Sequence, residues 1–246
     1  MERNLRLTIE YQGTRYHGWQ FQPNGISIQE KIEEVLERLT GKRPKVIGAG
    51  RTDAGVHAEG QVAHFKTRSP MDCKALQRGM NALLPDDIVV LNVEEAEGDF
   101  HALFSEKGKT YRYMILNRSY PSAFERHRCW HISCRLDLDA MREAVRPLIG
   151  RHDFSAFQAS DCCARNPVRE IGRIEILEED GWISIMVSAN GFLKYMVRNI
   201  VGTLVEVGRG KMVPVDVQRI LDSRDRTQAG PTAPAQGLFL VFVDYG

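Results

Sequence analysis

Apolar and polar positions alternate from the start of the chain. Leu5, Leu7, Ile9 and Tyr11 interleave with Arg6, Thr8 and Glu10, the period-two signature of a strand buried on one face. The period then lengthens. Ile28, Ile32, Val35, Leu36 and Leu39 recur at helical spacing behind Ser27 and Glu30, a capping-box pair, and Gly41 supplies a C-cap, which predicts an amphipathic helix. Extended stretches are expected at Lys45–Gly48 and Gln61–Lys66 on either side of a glycine-rich loop. A helix is expected at Asp72–Leu83, before Pro85, and a strand at Ile88–Val93. Strand, helix, strand, strand, helix, strand is the βαββαβ order of a ferredoxin-like half.

The order recurs further on. A strand runs through Tyr111, Tyr113 and Ile115, a helix through Leu138–Ile149, and strands at Ile171–Leu177 and Trp182–Ser188 join at Asp180-Gly181. A long helix at Lys194–Val207, a short one at Val215–Leu221 and an apolar strand at Leu238–Val243 close the chain. These elements predict an α+β chain of two ferredoxin-like halves, 1–107 and 108–246, joined near Ser105–Gly108. Their antiparallel sheets are expected side by side with a central cleft, where sites usually form.

Composition narrows the class. The 246 residues are 43% hydrophobic and 26% charged, and no apolar stretch approaches the ~18 residues of a membrane helix. The first residues alternate charge and apolarity without a signal-type apolar run, so a cytoplasmic protein with no membrane association is expected. Five cysteines, with no CxxC pair, read as reduced thiols that mostly pack. The formal charge of +1 conceals a skew, since the 33 basic residues are 24 Arg and 9 Lys. The planar guanidinium suits phosphate and base recognition, although a compositional bias gives the same skew. A polyanion would need a local patch. The segment Arg118–Arg135 supplies Arg118, Arg126, Arg128, Arg135, His127 and His131 among Tyr120, Phe124 and Trp130, against the single acid Glu125. A solvated loop with structural aromatics is the alternative.

The most unusual segment is Gly48-Ala49-Gly50-Arg51-Thr52-Asp53-Ala54-Gly55-Val56-His57-Ala58, in which small residues surround one acid and one base. Glycines let a backbone approach a ligand closely, and Arg51 can neutralise a phosphate or hold the Asp53 carboxylate ionised. An exposed charged loop is the plain alternative. Several known motifs fail here. A dinucleotide fingerprint needs a third glycine where Asp53 stands, and none of the Gly-Lys dipeptides has P-loop spacing. An aspartyl phosphotransferase would place a second acid where Gly55 stands. His57 and His64 lie seven apart without a third ligand at zinc spacing, so no metal is expected.

The loop Gly50–Ala58 resembles the catalytic motif of the tRNA pseudouridine synthase A (TruA) family. The resemblance extends to Tyr16-His17-Gly18-Trp19-Gln20, Gln61-Val62-Ala63-His64-Phe65, Asn81–Pro85, Lys109-Thr110-Tyr111-Arg112-Tyr113, Asp153–Phe157 and Met196–Gly202, in order along nearly the whole chain. It implies the pseudouridine-synthase fold, a homodimer that holds tRNA, and a cofactor-free isomerisation of uridine to pseudouridine at positions 38, 39 and 40 of the anticodon stem-loop. Asp53 matches the catalytic aspartate. With an ordinary pKa of about 3.9 it is an anion at neutral pH and needs no general base. Both C1′ of the ribose and C6 of the uracil are open to its attack. Arg51 and Arg198 match substrate-binding positions, with Arg198 corresponding to an arginine that pairs with the aspartate and keeps it charged when a base covers it. Lys194, Arg198 and Gly202, at i, i+4 and i+8, are expected to form a basic helix face with a glycine gap. Tyr111 matches a tyrosine that stacks on the flipped base, while its alternation with Tyr113 and Ile115 also suits an ordinary core. Leu103 stands where the family commonly has arginine, which shifts that expected RNA contact to Lys107 or Lys109. The Asp161–Arg165 segment, with Cys162 and Cys163, matches nothing assigned.

A different class shares much of this description. Ferredoxin-like halves also make non-catalytic RNA-binding proteins, which need aromatics and basic residues but no acid in a glycine loop.

Overall fold

The computed structural model describes residues 2–246. Its contacts define two compact units. One runs to Lys107 and resumes at Phe239–Gly246, and the other is Gly108–Leu238.

In the first unit, β1 (Arg3–Tyr11) pairs antiparallel with both β3 (His57–Thr67) and β4 (Ile88–Ala96), and the short β2 (Ile47–Gly48) pairs antiparallel with β3. Leu5, Leu7, Ile9 and Tyr11 are buried, as the alternation requires. Helix α1 (Ile28–Thr40) begins where expected. Ser27 Oγ accepts the Glu30 N–H at 3.2 Å, the Glu30 carboxylate accepts the Ser27 N–H at 3.5 Å, and Gly41 ends the helix at φ 75°. Helix α2 (Cys73–Leu83) is capped by Asp72, whose carboxylate accepts the Ala75 N–H at 2.9 Å. Ile28, Ile32, Val35 and Leu36 of α1 and Leu76 and Met80 of α2 join the strand residues in one core.

On sequence alone the second half extends to residue 246 and both sheets are antiparallel. The closing strand β10 (Leu238–Asp244) instead returns to the first unit and pairs in parallel with β3, at Phe239 with His57 and Leu240 with Ala58. It does so because β3 starts at His57, four residues before the expected Gln61, and those extra residues offer the backbone that β10 takes up.

In the second unit, β5 (Gly108–Asn117) pairs antiparallel with β9 (Trp182–Ala189), β9 with β8 (Val168–Glu179), and β8 with the short β7 (Gly150–Asp153). A three-residue strand β6 (Trp130–Ile132) runs parallel to β5. Neither β6 nor β7 is long enough to show a period, so neither was expected. Helix α3 (Leu138–Ala144) stops before the expected Ile149. Pro147 carries no N–H for an α-helical bond, and Arg146–Leu148 becomes a 3-10 turn. Helix α4 (Met196–Gly208) is buried at every position except Arg198, and α5 (Pro214–Ser223) begins on a proline, which suits a first helical turn.

Five thiols are free, and Cys129 alone among them is fully buried. Cys73 and Cys162 are half-buried and Cys134 and Cys163 exposed, so packing explains fewer cysteines than expected.

Candidate active site

The glycine-rich loop is held from below. Thr52 is buried, and its hydroxyl lies 2.7 Å from the Tyr11 hydroxyl at the end of β1. Burial pushes the Tyr11 phenol up to about 12, against the pull of its hydrogen bonds to Thr52 and Gln61, so it remains a neutral hydrogen-bonding group. Gln61, wholly buried on β3, donates to the Gly50 carbonyl at 2.9 Å and to the Tyr11 hydroxyl at 3.4 Å.

It is also held from the side. The Trp19 N–H donates to the Thr52 carbonyl at 3.1 Å, and the Gly55 N–H donates to the Tyr16 carbonyl at 3.3 Å. Two separate motifs, Tyr16–Gln20 and Gly50–Ala58, thus meet as one structure. Gly18 makes the approach possible. Its φ is +89°, and a Cβ there would lie 2.4 Å from the Thr52 carbonyl oxygen and 3.1 Å from the Asp53 carbonyl carbon. The Val56 N–H closes a turn on the Asp53 carbonyl at 3.1 Å. Both backbone flanks of Asp53 are therefore fixed, while its side chain is half-buried and Arg51 is exposed. A carboxylate held this way can act as a nucleophile without first losing loop entropy.

The two histidines near this loop are spent on structure. His57 accepts the Gly13 N–H at Nδ1 (3.0 Å) and stacks on Phe239 at 4.7 Å. His64 accepts the Ala102 N–H at Nδ1 (3.1 Å). Among the described residues no group of three or more His, Cys, Asp or Glu is placed to hold a metal. Burial lowers the His64 imidazole to about 4, helped by its neighbours His101 and Lys66 and opposed by a backbone hydrogen bond with Ile47. The unfolded chain, with an ordinary histidine near 6.5, binds this proton first, so stability is full above about 6.5 and falls as pH drops toward 4. Urea unfolding at pH 5 against pH 7 should show a loss on the order of 2 kcal/mol, smaller in His64→Gln.

The other expected residues lie in the second unit. Tyr111 sits on β5 opposite Val187 of β9, 7% exposed, and the edge of Phe192 meets its ring at 5.0 Å and 84°. Arg198 lies in the first turn of α4. Its guanidinium stands 4.6 Å from the centre of the Tyr195 ring, and its Nε–H donates to the Ala233 carbonyl at 2.7 Å. The expected basic helix face is not formed. Tyr195, at φ 63°, sets the helix start at Met196, so Lys194 precedes the helix and pairs with Asp161 at 2.5 Å. The glycine gap is filled, because a Cβ on Gly202 would lie 1.7 Å from the Pro231 carbonyl oxygen. The segment 229–234 that fills it carries no signal in the sequence beyond a run of small residues and prolines. Of the two lysines considered in place of Leu103, Lys107 is exposed and Lys109 is buried.

The loop from Arg118 to Cys129 is pinned and yet presents aromatics to solvent. Arg118 donates to the Tyr120 and Pro121 carbonyls and lies over the Tyr120 ring at 4.7 Å, and Arg128 forks onto Glu125 at 2.7 and 3.0 Å. Phe124 is 93% exposed and Tyr120 66%.

Comparison with known proteins shows which family the chain resembles along its length. The model of a family described as tRNA pseudouridine synthase matches residues 7–105 and 144–246. Three relatives, each called tRNA pseudouridine synthase A, align along almost all of both chains. That of Ruminiclostridium cellulolyticum is 50% identical over 244 residues, covering 99% of this chain and 100% of its own. That of Myxococcus xanthus is 50% identical over 242 residues, covering 98% and 91%, and that of Acetivibrio thermocellus is 48% identical over 243 residues, covering 99% and 100%.

Proposed function

The chain belongs to the tRNA pseudouridine synthase family, and from that membership we propose that it isomerises uridine at positions 38, 39 and 40 of the tRNA anticodon stem-loop, with Asp53 as the catalytic carboxylate. The observation that carries the assignment of Asp53 is its place on a loop whose backbone is fixed on both sides while its side chain stays partly accessible. In the reaction the N1–C1′ bond breaks and a C5–C1′ bond forms, a proton leaves C5 and one is taken up at N1. Atoms balance without an oxidant or a second substrate, so no cofactor is invoked.

The other roles follow from chemistry. A target uridine must leave its stack at a cost of a few kcal/mol, and an aromatic ring offsets part of it. Tyr111 is proposed to supply that ring. Arg51 and Arg198 are proposed to bind the substrate, since guanidinium groups neutralise phosphate and keep a covered carboxylate ionised. The first unit supports the ferredoxin-like reading, with β1 between β3 and β4 and β2 on β3. The homodimer and the cytoplasmic location belong to the same proposal, and among the described residues no helix is long and apolar enough to cross a membrane. Transcripts carrying uridine at one of the three positions, treated with a carbodiimide and read by reverse transcription, test the site. Stops at those positions support it. Stops confined to other uridines overturn it.

The pinned loop at Arg118–Cys129 fits a contact to RNA, as Phe124 and Tyr120 offer stacking faces and Arg126, whose Nε–H donates to His127 Nε2 at 2.8 Å, an exposed charge among them. Phe124→Ala should weaken tRNA binding by about 1–3 kcal/mol without changing its salt dependence. Arg126→Ala should lower the slope of log affinity against log salt by about 1. Filter binding across a salt series measures both.

A further inference from the structure

Residues 229–234 form no regular element of their own, yet they are tied to the first two turns of α4 at four points. The Gly230 N–H donates to Thr203 Oγ1 at 2.9 Å, and the Thr232 hydroxyl donates to Asn199 Oδ1 at 2.7 Å. The Ala233 N–H donates to the Arg198 carbonyl at 3.1 Å, and the Ala233 carbonyl accepts the Arg198 Nε–H at 2.7 Å. One residue further on, the Pro234 carbonyl accepts the Tyr113 hydroxyl at 2.7 Å.

At the centre is Asn199, with no exposed surface and both ends of its amide used. Its Nδ2 donates to the Phe157 carbonyl at 2.8 Å, and its Oδ1 accepts from Thr232 and, at 3.1 Å, from Arg226. Arg226 also reaches the Thr232 hydroxyl at 3.1 Å and the Ala229 carbonyl at 3.3 Å. It thus spends a partly buried charge on neutral oxygens, and burial lowers its pKa accordingly. Holding a guanidinium this way is costly. What the cost secures is the position of one segment.

That position matters for Arg198. Its side chain has about 2 kcal/mol of rotamer entropy to lose on taking a single geometry. The Ala233 carbonyl fixes the Nε–H direction and the Tyr195 ring fixes the plane, so the heading of the two terminal nitrogens is set before substrate arrives.

We propose that Asn199, Thr232 and Arg226 are positioning residues that hold the Ala233 carbonyl and, through it, aim the guanidinium of Arg198. The proposal rests on the substrate-binding role given to Arg198 above.

Thr232→Val keeps the shape of the side chain and removes the hydroxyl. It should lower kcat roughly tenfold, the loss expected of one hydrogen bond. KM for tRNA should stay within about twofold, because binding is spread over many phosphates. Thr232→Ser should restore the rate. In an Arg198→Lys background Thr232→Val should cost nothing more, since lysine has no Nε–H for the carbonyl to orient. An equal cost in both backgrounds, or a loss confined to KM, overturns the proposal. A second readout is independent of turnover. The Arg198 Nε–H, identified in an arginine-selective NMR spectrum by its absence in Arg198→Lys, should exchange slowly with water in wild type and quickly in Thr232→Val. Equal exchange in the two proteins overturns the proposal as well. Should Thr232→Val not fold, Arg226→Gln loosens the same hub and is read identically. If wild type leaves tRNA unmodified, the functional reading fails, while the exchange measurement still decides the positioning.

Discussion

Asp53→Asn is expected to lower turnover by about four orders of magnitude or more while tRNA binding holds or tightens. The amide has nearly the volume of the carboxyl group, and the turn that Val56 closes on Asp53 uses a backbone carbonyl that the change leaves in place. What disappears is the negative oxygen proposed to attack the nucleoside, for which the amide has no substitute. Removing an anion from a surface proposed to meet phosphate also reduces repulsion. Single-turnover kinetics beside filter binding separate the two effects. Turnover within tenfold of wild type would place the catalytic group elsewhere.

Gly18→Ala should be the most damaging change outside the loop itself. Its Cβ would meet the Thr52 carbonyl oxygen at 2.4 Å, and the φ of +89° strains any residue but glycine. The clash is with backbone, so rotating a side chain cannot relieve it. Stability should fall by about 1–3 kcal/mol. A displacement of about 1 Å in the neighbouring carboxylate should cost about a hundredfold in kcat. The cap variant Asp72→Ala is the control, losing about 1 kcal/mol of stability from α2 with turnover kept. If Gly18→Ala loses no more activity than Asp72→Ala, the support attributed to Tyr16–Gln20 is wrong.

Much of this molecule was legible because the signals are local. Helix α1 is written into thirteen residues by its period, its Ser27–Glu30 box and Gly41. The Asp53 loop stands out because an acid among glycines has no use in packing. What escaped notice depends on partners distant in sequence. Nothing near Leu238 says that its strand pairs with β3, some 180 residues earlier. Lys194 fits the helical period, and the left-handed Tyr195 that excludes it comes from the tertiary setting. Gly202 reads as an open gap on a helix wheel until the Pro231 carbonyl is found inside it. The resemblance pointed to Arg198, but the segment that holds it carries no charge, no period and no motif of its own.

In the proposed reaction a uridine in tRNA loses its C5 hydrogen as its base is rejoined through carbon. A tRNA transcript labelled with tritium at uridine C5, incubated with the purified protein, reports that event directly. Release of label into water, with the product nucleoside recovered as pseudouridine, is the predicted result. A protein that binds the transcript and releases no label contradicts it.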